Sequence, residues 1–196
     1  MIIAKHQLKA ATYSMGKDDI RYYLNGVLFV VNEHGQAALV STDGHRMFIG
    51  KLSDDCGLEP IQIIIPDTAV REALKQTGKM MSLTLGAGAQ LPALGAVSFT
   101  PIDAKYPDFT RVIPAKLSGE KALYNPHYLS DAQTALNWWV ETKNPLAVVD
   151  LQMNGDKAAL MTAYDAFVVI MPIRPNGKVH PTFTWGKSVG EEAKAA

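Results

Sequence analysis

Apolar and polar positions along the chain repeat one order of elements three times: a short strand, an amphipathic helix, and two or three further strands. In the first segment, Ile2-Ile3 predicts the strand. Apolar residues at helical spacing then predict a helix that Gly16 ends: Leu8, Ala11, Thr12 and Met15. Strands are expected at residues 21–32, 37–41 and 47–52, and Asp43-Gly44 is a strong signal for a hairpin turn between the last two.

The second segment follows the same order. Residues 61–65 form an apolar run of strand length, and Pro66-Asp67-Thr68 predicts a helix start with Asp67 or Thr68 as the N-cap. Val70, Ala73 and Leu74 form the expected buried face, and Gly78 ends the helix. Strands are expected at residues 80–85 and 96–100.

The third segment opens with a predicted strand at residues 122–124. Asn125 then caps a helix with Pro126 at its first position. The apolar face of this helix is predicted to consist of Leu129, Ala132, Leu136 and Trp139. Strands are expected at residues 146–153, 158–162 and 166–173, with Asn154-Gly155 as a two-residue hairpin turn.

This order of elements predicts an α+β fold, mostly antiparallel sheet with helices on one face. The expected organisation is a complete two-part domain at residues 1–103, a connector at 104–119, a half-domain at 120–175 and a tail at 176–196. The tail contains Phe183 and Trp185, which are candidates for an added strand, a contact with a neighbouring chain or a cover for a binding site, or which belong to a disordered extension.

Composition narrows the function classes. Lysine and arginine total 19, aspartate and glutamate total 19, and the formal net charge is zero, so any contact with DNA requires a local basic face. Cys56 is the only cysteine, which excludes an intramolecular disulfide and fits a reducing cytoplasm. The first residues lack the features of a signal peptide, and no stretch approaches the roughly 18 apolar residues of a membrane span.

Candidate catalytic and cofactor chemistry is sparse. Asp43 and His45 share one face if they lie in a strand, but no serine or cysteine can be assigned to them as a nucleophile. The Gly86-Ala87-Gly88 stretch lies between predicted strands and does not open a helix, so a phosphate-binding loop is not expected. The five histidines show no metal-ligand spacing, and we expect neither metal nor cofactor.

Two helices carry pairs of cations four residues apart, Lys5 with Lys9 and Arg71 with Lys75. Such pairs are ordinary solvated faces or basic faces directed at a phosphate backbone. Tyr22 and Tyr23 follow Arg21, and alternation directs one ring outward, where it either stacks on a base or packs on a neighbour.

Four stretches carry a family resemblance. DDIRYYLNGVLF (residues 18–29) and TDGHRM (residues 42–47) resemble the middle domain of the bacterial DNA polymerase III beta sliding clamp. YPDFTRVIP (residues 106–114) resembles the linker between the clamp's middle and last domains, and FVVIMPIR (residues 167–174) resembles the clamp's C-terminus.

The resemblance implies the clamp fold, in which half-domains of one helix and a small sheet form a ring with the helices lining the DNA hole. The family chain has six half-domains, and this chain resembles three of them. They are the whole middle domain and, joined directly to it, the second half of the last domain.

The resemblance also implies a pocket for clamp-binding peptides, which carry a glutamine and a hydrophobic doublet, and it implies no catalytic residue. Leu, Met, Val and Ile form its apolar slot, and Arg46, Arg111 and Arg174 are expected to rim it with donors. The full expected lining is Leu24, Thr42, Gly44, His45, Arg46, Met47, Pro107, Arg111, Val112, Val169, Met171, Pro172, Ile173 and Arg174.

The DNA-facing side implied by the resemblance is less basic than usual for the family, because Asp67 and Thr68 stand where basic residues are common. The third helix has Asp131 and no Lys or Arg before Lys143. We therefore expect weak, salt-sensitive binding to double-stranded DNA. The remaining candidates for DNA contact are Lys5, Lys9, Lys17, Arg21, Tyr22, Arg71 and Lys75.

The leading hypothesis is a cytoplasmic, non-catalytic, homo-oligomeric sliding clamp that encircles DNA and binds peptides of DNA polymerases and other clamp-binding proteins. The second is a clamp mimic that keeps the pocket without the ring and competes for, or recruits, clamp-binding proteins. The third, from a different class, is a hydrolase that uses His45.

Overall fold

The computed structural model describes residues 1–86, 88–141 and 150–174. The helices are α1 (Lys5–Ala11), α2 (Asp67–Lys75) and α3 (Pro126–Trp139). The strands are β1 (Ile2–Ala4), β2 (Gly26–Val31), β3 (Ala37–Thr42), β4 (Arg46–Ser53), β5 (Ile61–Pro66), β6 (Met80–Thr84), β7 (Ala93–Leu94), β8 (Val97–Ser98), β9 (Asp150–Gln152), β10 (Ala159–Ala163) and β11 (Ala166–Ile170). Short 3₁₀ turns occur at Tyr22–Leu24 and Phe109–Val112.

The strands form two antiparallel sheets. One has four strands in the order β1-β6-β7-β8, and the other has seven in the order β5-β2-β3-β4-β11-β10-β9. The first and second repeat units exchange their leading strands: β1 pairs with β6, and β5 pairs with β2. The predicted α+β fold with three helix-plus-sheet units is confirmed.

The third unit joins the first through its last strand. β11 pairs with β4 over five residue pairs, from Ala166 opposite Gly50 to Ile170 opposite Arg46. The leading segment of the third unit makes only an isolated bridge, Leu123 with Ile173 of the same unit. It therefore lacks the strand exchange that unites the first two units.

Apolar residues cover both faces of the long sheet. Phe29 and Phe48 face the helices in the main core, together with Leu8 of α1 and Leu136 of α3. Leu28 and Met47, which alternate with them along the strands, pack on the other face against Tyr106 of the connector. Successive strand residues point to opposite faces, and both faces are covered here, so β2 is buried along its whole length.

α3 begins as predicted. The Asn125 side chain accepts a hydrogen bond from the His127 N–H at 3.0 Å, and Pro126 is the first helical residue. Ala132, Leu136 and Trp139 are buried and Leu129 is partly buried, which confirms the predicted face.

Trp139 closes the contact between the third unit and the first. Its indole Nε1 donates to Asp165 Oδ1 at 2.7 Å, and its ring lies 5.5 Å from that of Phe48. The ring also covers Gly50 so closely that a Cβ at that position would overlap it. Glycine is required at position 50 because of this contact.

Several predicted boundaries are wrong. α1 ends at Ala11 rather than at Gly16, and the Thr12 hydroxyl donates to the Lys9 carbonyl at 2.7 Å. The predicted N-cap of α2 is also wrong. Pro66 is the cap residue, and Asp67 is the first helical residue, paired with Arg71 at 2.6 Å. α2 itself ends at Lys75 and not at Gly78.

The strand predicted at residues 21–32 starts only at Gly26. Residues 22–24 form a 3₁₀ turn, because the Asn25 side chain accepts from the Asp19 N–H at 2.9 Å and donates to the Asp19 carbonyl at 2.8 Å. The loop around Asn154-Gly155 spans residues 153–158 rather than two residues. The strand predicted at residues 146–153 is only partly described, because residues 146–149 lie outside the described residues. The tail with Phe183 and Trp185 also lies outside them.

The contact at Gly50 generates a stability prediction. Gly50→Ala should lower the free energy of unfolding by about 1–3 kcal/mol, because the added methyl overpacks the core against Trp139. Urea denaturation measures this. In a Trp139→Leu background the same substitution should cost less, so the two changes should be non-additive. Additive effects would mean that Trp139 does not define the space at Gly50.

Candidate functional site

The hairpin between β3 and β4 has a rigid turn. Asp43 Oδ1 accepts from the backbone N–H groups of His45 at 2.8 Å and Arg46 at 3.0 Å. Gly44 has φ 89°, in the left-handed region that favours glycine. Because Asp43 uses its carboxylate on the turn and on Arg46, it does not orient the His45 imidazole as a catalytic dyad requires.

Arg46 ties this hairpin to α3. Its Nε donates to Asp43 Oδ2 at 3.0 Å, and its Nη1 donates to Asp131 Oδ2 at 2.5 Å. The guanidinium lies 4.8 Å from the centre of the Tyr128 ring, on which the His45 ring also stacks at 6.0 Å. The Arg46 side chain is therefore already engaged, which argues against its expected role as a free donor for a peptide.

The connector lies against the outer face of the long sheet. The Ile102 N–H donates to the Ile64 carbonyl at 3.0 Å, and Tyr106 is buried, which raises the pKa of its hydroxyl. The Asp108 carboxylate accepts from the Thr110 N–H at 3.2 Å and caps the next turn. Pro107 and Phe109 are thereby held beside the hairpin.

The end of β11 supplies the opposite wall. Val169 pairs with Met47 and is buried. The Met171 N–H donates to the His45 carbonyl at 2.9 Å, which keeps the Met171 side chain next to the hairpin turn. Met171 is 41% exposed, so it borders open space rather than core.

These three pieces enclose a cavity of about 200 Å³. Leu24, Met47 and Val169 are its buried apolar walls. Ten of the residues expected from the sequence surround it: Leu24, Thr42, Gly44, His45, Arg46, Met47, Pro107, Val112, Val169 and Met171.

Four expected residues do not line this cavity. Arg111 borders an adjacent cavity, and Pro172, Ile173 and Arg174 lie beyond Met171 at the end of the described chain. Four residues that line it were not expected there: Arg21, Tyr23, Asp108 and Phe109. Asp108 and Phe109 belong to the YPDFTRVIP stretch and Tyr23 adjoins Leu24, so the motifs themselves were the signal.

Comparison with protein families gives a match at residues 3–108 to the DNA polymerase III beta subunit, central domain. The chain belongs to this family. The match covers more than half of the chain, and it includes the hairpin and the start of the connector.

Relatives with curated names are beta sliding clamps. The one from Pseudomonas putida is 34% identical over 113 residues, which cover 55% of this chain and 30% of the relative. The one from Escherichia coli K12 is 30% identical over 115 residues, covering 56% of this chain and 31% of the relative. The matched part of the chain therefore spans about a third of the length of these relatives.

Solved structures extend the likeness in fold over the third unit. The DNA polymerase sliding clamp from Pseudomonas aeruginosa with ligand matches 89% of this chain and 66% of its own, with a TM-score of 0.62 and 19% identity. The DNA polymerase III beta subunit from Thermotoga maritima matches 89% and 65%, with a TM-score of 0.68 and 13% identity. At these identities the likeness shows the clamp fold alone.

The cations expected to face DNA in this clamp-family chain are partly neutralised. Arg71 pairs with Asp67, and Lys75 pairs with Glu72, each at 2.6 Å. Lys5 donates to the Gln76 carbonyl at 2.5 Å, and Lys9 lies 5.4 Å from the centre of the Tyr13 ring. Lys17 and Tyr22 are exposed, with Tyr22 edge-on to Tyr23.

Arg21 belongs to the cavity. Its guanidinium donates to both carboxylate oxygens of Asp19, at 3.0 and 2.7 Å, and to the Asp43 carbonyl at 2.9 Å. The hydrogen bonds from the Arg21 side chain and backbone lower the pKa of Asp19 to about 2. Arg21 is thus fixed against Gly44 at the rim.

In the described part of the chain, no group of three or more His, Cys, Asp or Glu side chains is placed to hold a metal ion. None of the helices in those same residues has the length and apolar content needed to cross a membrane.

The Asp19–Arg21 pair generates a pH prediction. Because the pKa of Asp19 is lower in the folded state than its ordinary value of 3.8, the pair contributes stability above about pH 4 that is lost as the pH falls towards 2. Asp19→Asn should therefore lower the melting temperature at pH 7, and the difference from the parent chain should narrow between pH 4 and 2. Arg21→Gln should show the same narrowing. A difference that is constant with pH would contradict the pairing.

Proposed function

We propose that this chain is a sliding-clamp-like processivity factor that binds short linear peptides of DNA polymerases and other clamp-binding proteins. The observation that carries the proposal is the apolar cavity assembled from the β3–β4 hairpin, the connector and the end of β11. All three pieces come from this one chain. The family is that of the DNA polymerase III beta subunit, which supports the same role.

The chemistry of the cavity suits a peptide that inserts apolar side chains. At about 200 Å³ it is smaller than a typical drug-sized pocket and accommodates one or two side chains. Met47 and Met171 line it, and flexible thioether side chains adapt to varied ligands. A hydrophobic doublet with a neighbouring glutamine is the proposed ligand.

For the assembly we propose that residues 1–103 form a complete clamp domain, that 104–119 are the connector, and that 120–175 form a half-domain followed by the tail. The resemblance implies a ring of twelve half-domains, so three units in one chain are too few and four chains would supply the total. The third unit lacks an exchange partner within the described chain, so we propose that another chain completes it.

We also propose that the face of the protein that carries the helices binds double-stranded DNA weakly. Lys5, Lys9 and Lys17 are the members of the expected set that make no ion pair with a described residue. Lys5 is held by the Gln76 carbonyl, which leaves Lys9 and Lys17 as the cations proposed to face DNA. Because each phosphate contact releases counterions, the affinity should fall as salt rises, and the few cations available should make the binding weak. The cytoplasm is the proposed location.

Peptide binding is testable by substitution. Met171→Ala should weaken binding of a fluorescent peptide carrying a glutamine and a Leu-Phe doublet by about tenfold, since it removes one wall of the cavity. Fluorescence anisotropy measures this. Met80→Ala is the matched control, because Met80 is 60% exposed and lies outside the cavity. Equal affinities for the parent and Met171→Ala chains would remove the peptide assignment.

The ring is testable by mass. Light scattering should give a particle of four times the 21.3 kDa chain mass at micromolar concentration. The physical reason is that the third unit has no exchange partner among the described residues, and a second chain can supply the missing strand. A single-chain mass at every concentration would exclude the homo-oligomeric ring and favour the clamp mimic that keeps only the pocket.

A further inference from the structure

A second cavity, of about 550 Å³, lies beside the proposed peptide site. Val112 and Met171 line both cavities. The second one differs in charge, because Arg111, Lys116 and Lys157 border it and Asp156 is the only acidic residue among its described lining.

The three cations have no ion-pair partner in the part of the chain that the structure describes. All three are exposed. Six other cations of the described chain are each paired with a carboxylate within 4 Å: Arg21, Arg46, Lys51, Arg71, Lys75 and Lys79. An exposed lysine alone means little, but here three cations without an ion-pair partner among the described residues border one cavity.

The walls of this second cavity are held together. The buried Asn154 accepts from the Ser118 N–H at 3.0 Å and donates to the Ala158 carbonyl at 3.1 Å. The Gly119 N–H donates to the Met153 carbonyl at 3.0 Å, and the Gly155 N–H donates to the Glu120 carbonyl at 2.9 Å. Three of these hydrogen bonds join residues 118–120, which follow Lys116, to residues 153–155, which precede Lys157, and the Asn154–Ala158 bond holds the loop itself.

We infer that this second cavity binds acidic residues that flank the hydrophobic doublet of the partner peptide. The inference rests on the proposed function. A peptide whose apolar side chains fill the first cavity leads past Val112 and Met171 into the second. There the Arg111 guanidinium can bind a carboxylate with two hydrogen bonds, and the lysines add attraction at longer range.

An acidic peptide segment fits this place better than a nucleic acid does. The cavity adjoins an apolar slot, with which it shares Val112 and Met171, and a phosphate backbone does not fill such a slot. The cations proposed to face DNA, Lys9 and Lys17, do not line either cavity. Charge complementarity at such a rim also speeds association and selects among partners.

The test uses peptides that share the glutamine and Leu-Phe core and differ in a three-residue flank. The flank is acidic, neutral or basic, and it is placed before the core in one series and after it in another, so that either chain direction is sampled. In one series the acidic peptide should bind about fivefold more tightly than the neutral one at low salt. The difference should vanish near 0.5 M salt, as roughly expected for exposed charges.

Paired substitutions locate the effect. Lys116→Gln with Lys157→Gln should remove the preference for the acidic flank and leave affinity for the neutral peptide unchanged. Lys17→Gln with Lys75→Gln is the matched control, since it removes the same charge from exposed positions outside both cavities. The control should keep the preference.

The outcomes separate the inference from the function on which it rests. If no peptide binds in any form, the proposed function fails together with the inference. If the core peptide binds and the flank has no effect, or if the control pair loses the preference equally, the inference alone is overturned. Displacement of the acidic peptide by a short DNA duplex from the parent chain, but not from the Lys116/Lys157 variant, would also overturn it and assign the cavity to nucleic acid.

Discussion

The antiparallel pairing of β4 with β11 holds the third unit against the first, and the candidate site depends on it. The two strands lie in register from Gly50 opposite Ala166 to Arg46 opposite Ile170. At one end of this pairing Trp139 covers Gly50, and at the other end Arg46 binds Asp131 of α3. The same strands end at the cavity, so the site exists only while the third unit is docked.

Charge is divided between structural and free groups around the site. Arg21 and Arg46 are held by Asp19, Asp43 and Asp131, and they fix the shape of the hairpin rather than present open donors. Removing one member of such a pair leaves the other charge without its partner. The cations left for a ligand lie further out, in the connector and in the loop before β10. In the proposed function, different residues would therefore recognise the shape of the peptide and its charge.

Local sequence signals predicted the structure correctly at positions where a single residue determines the backbone conformation. The Asn125-Pro126 start of α3 and the Asp43-Gly44 turn follow from capping and from glycine's left-handed φ. The same signals failed at residues 21–25, where the Asn25 side chain captures the backbone of Asp19 and replaces a strand with a turn. They also failed at the end of α1, since Met15 keeps helical spacing and is buried although the helix has already ended.

Periodicity carries no information on which distant strands pair, so the exchange of β1 and β5 and the pairing of β4 with β11 were beyond prediction from local patterns. The candidate site was found through the family resemblance, which supplied the motifs but not the contacts. The resemblance placed Arg46 at the cavity but did not reveal its hydrogen bonds to Asp43 and Asp131. It assigned Arg21 to DNA contact, whereas Arg21 lines the cavity.

Hydrogen–deuterium exchange with and without a saturating clamp-binding peptide tests most directly whether one site is built from three separate pieces. The account predicts that amide exchange slows in the β3–β4 hairpin, in residues 107–112 and in residues 169–171. The slowing should depend on peptide concentration in the same way in all three segments. Protection confined to one of these pieces, or located on the helix face, would contradict it.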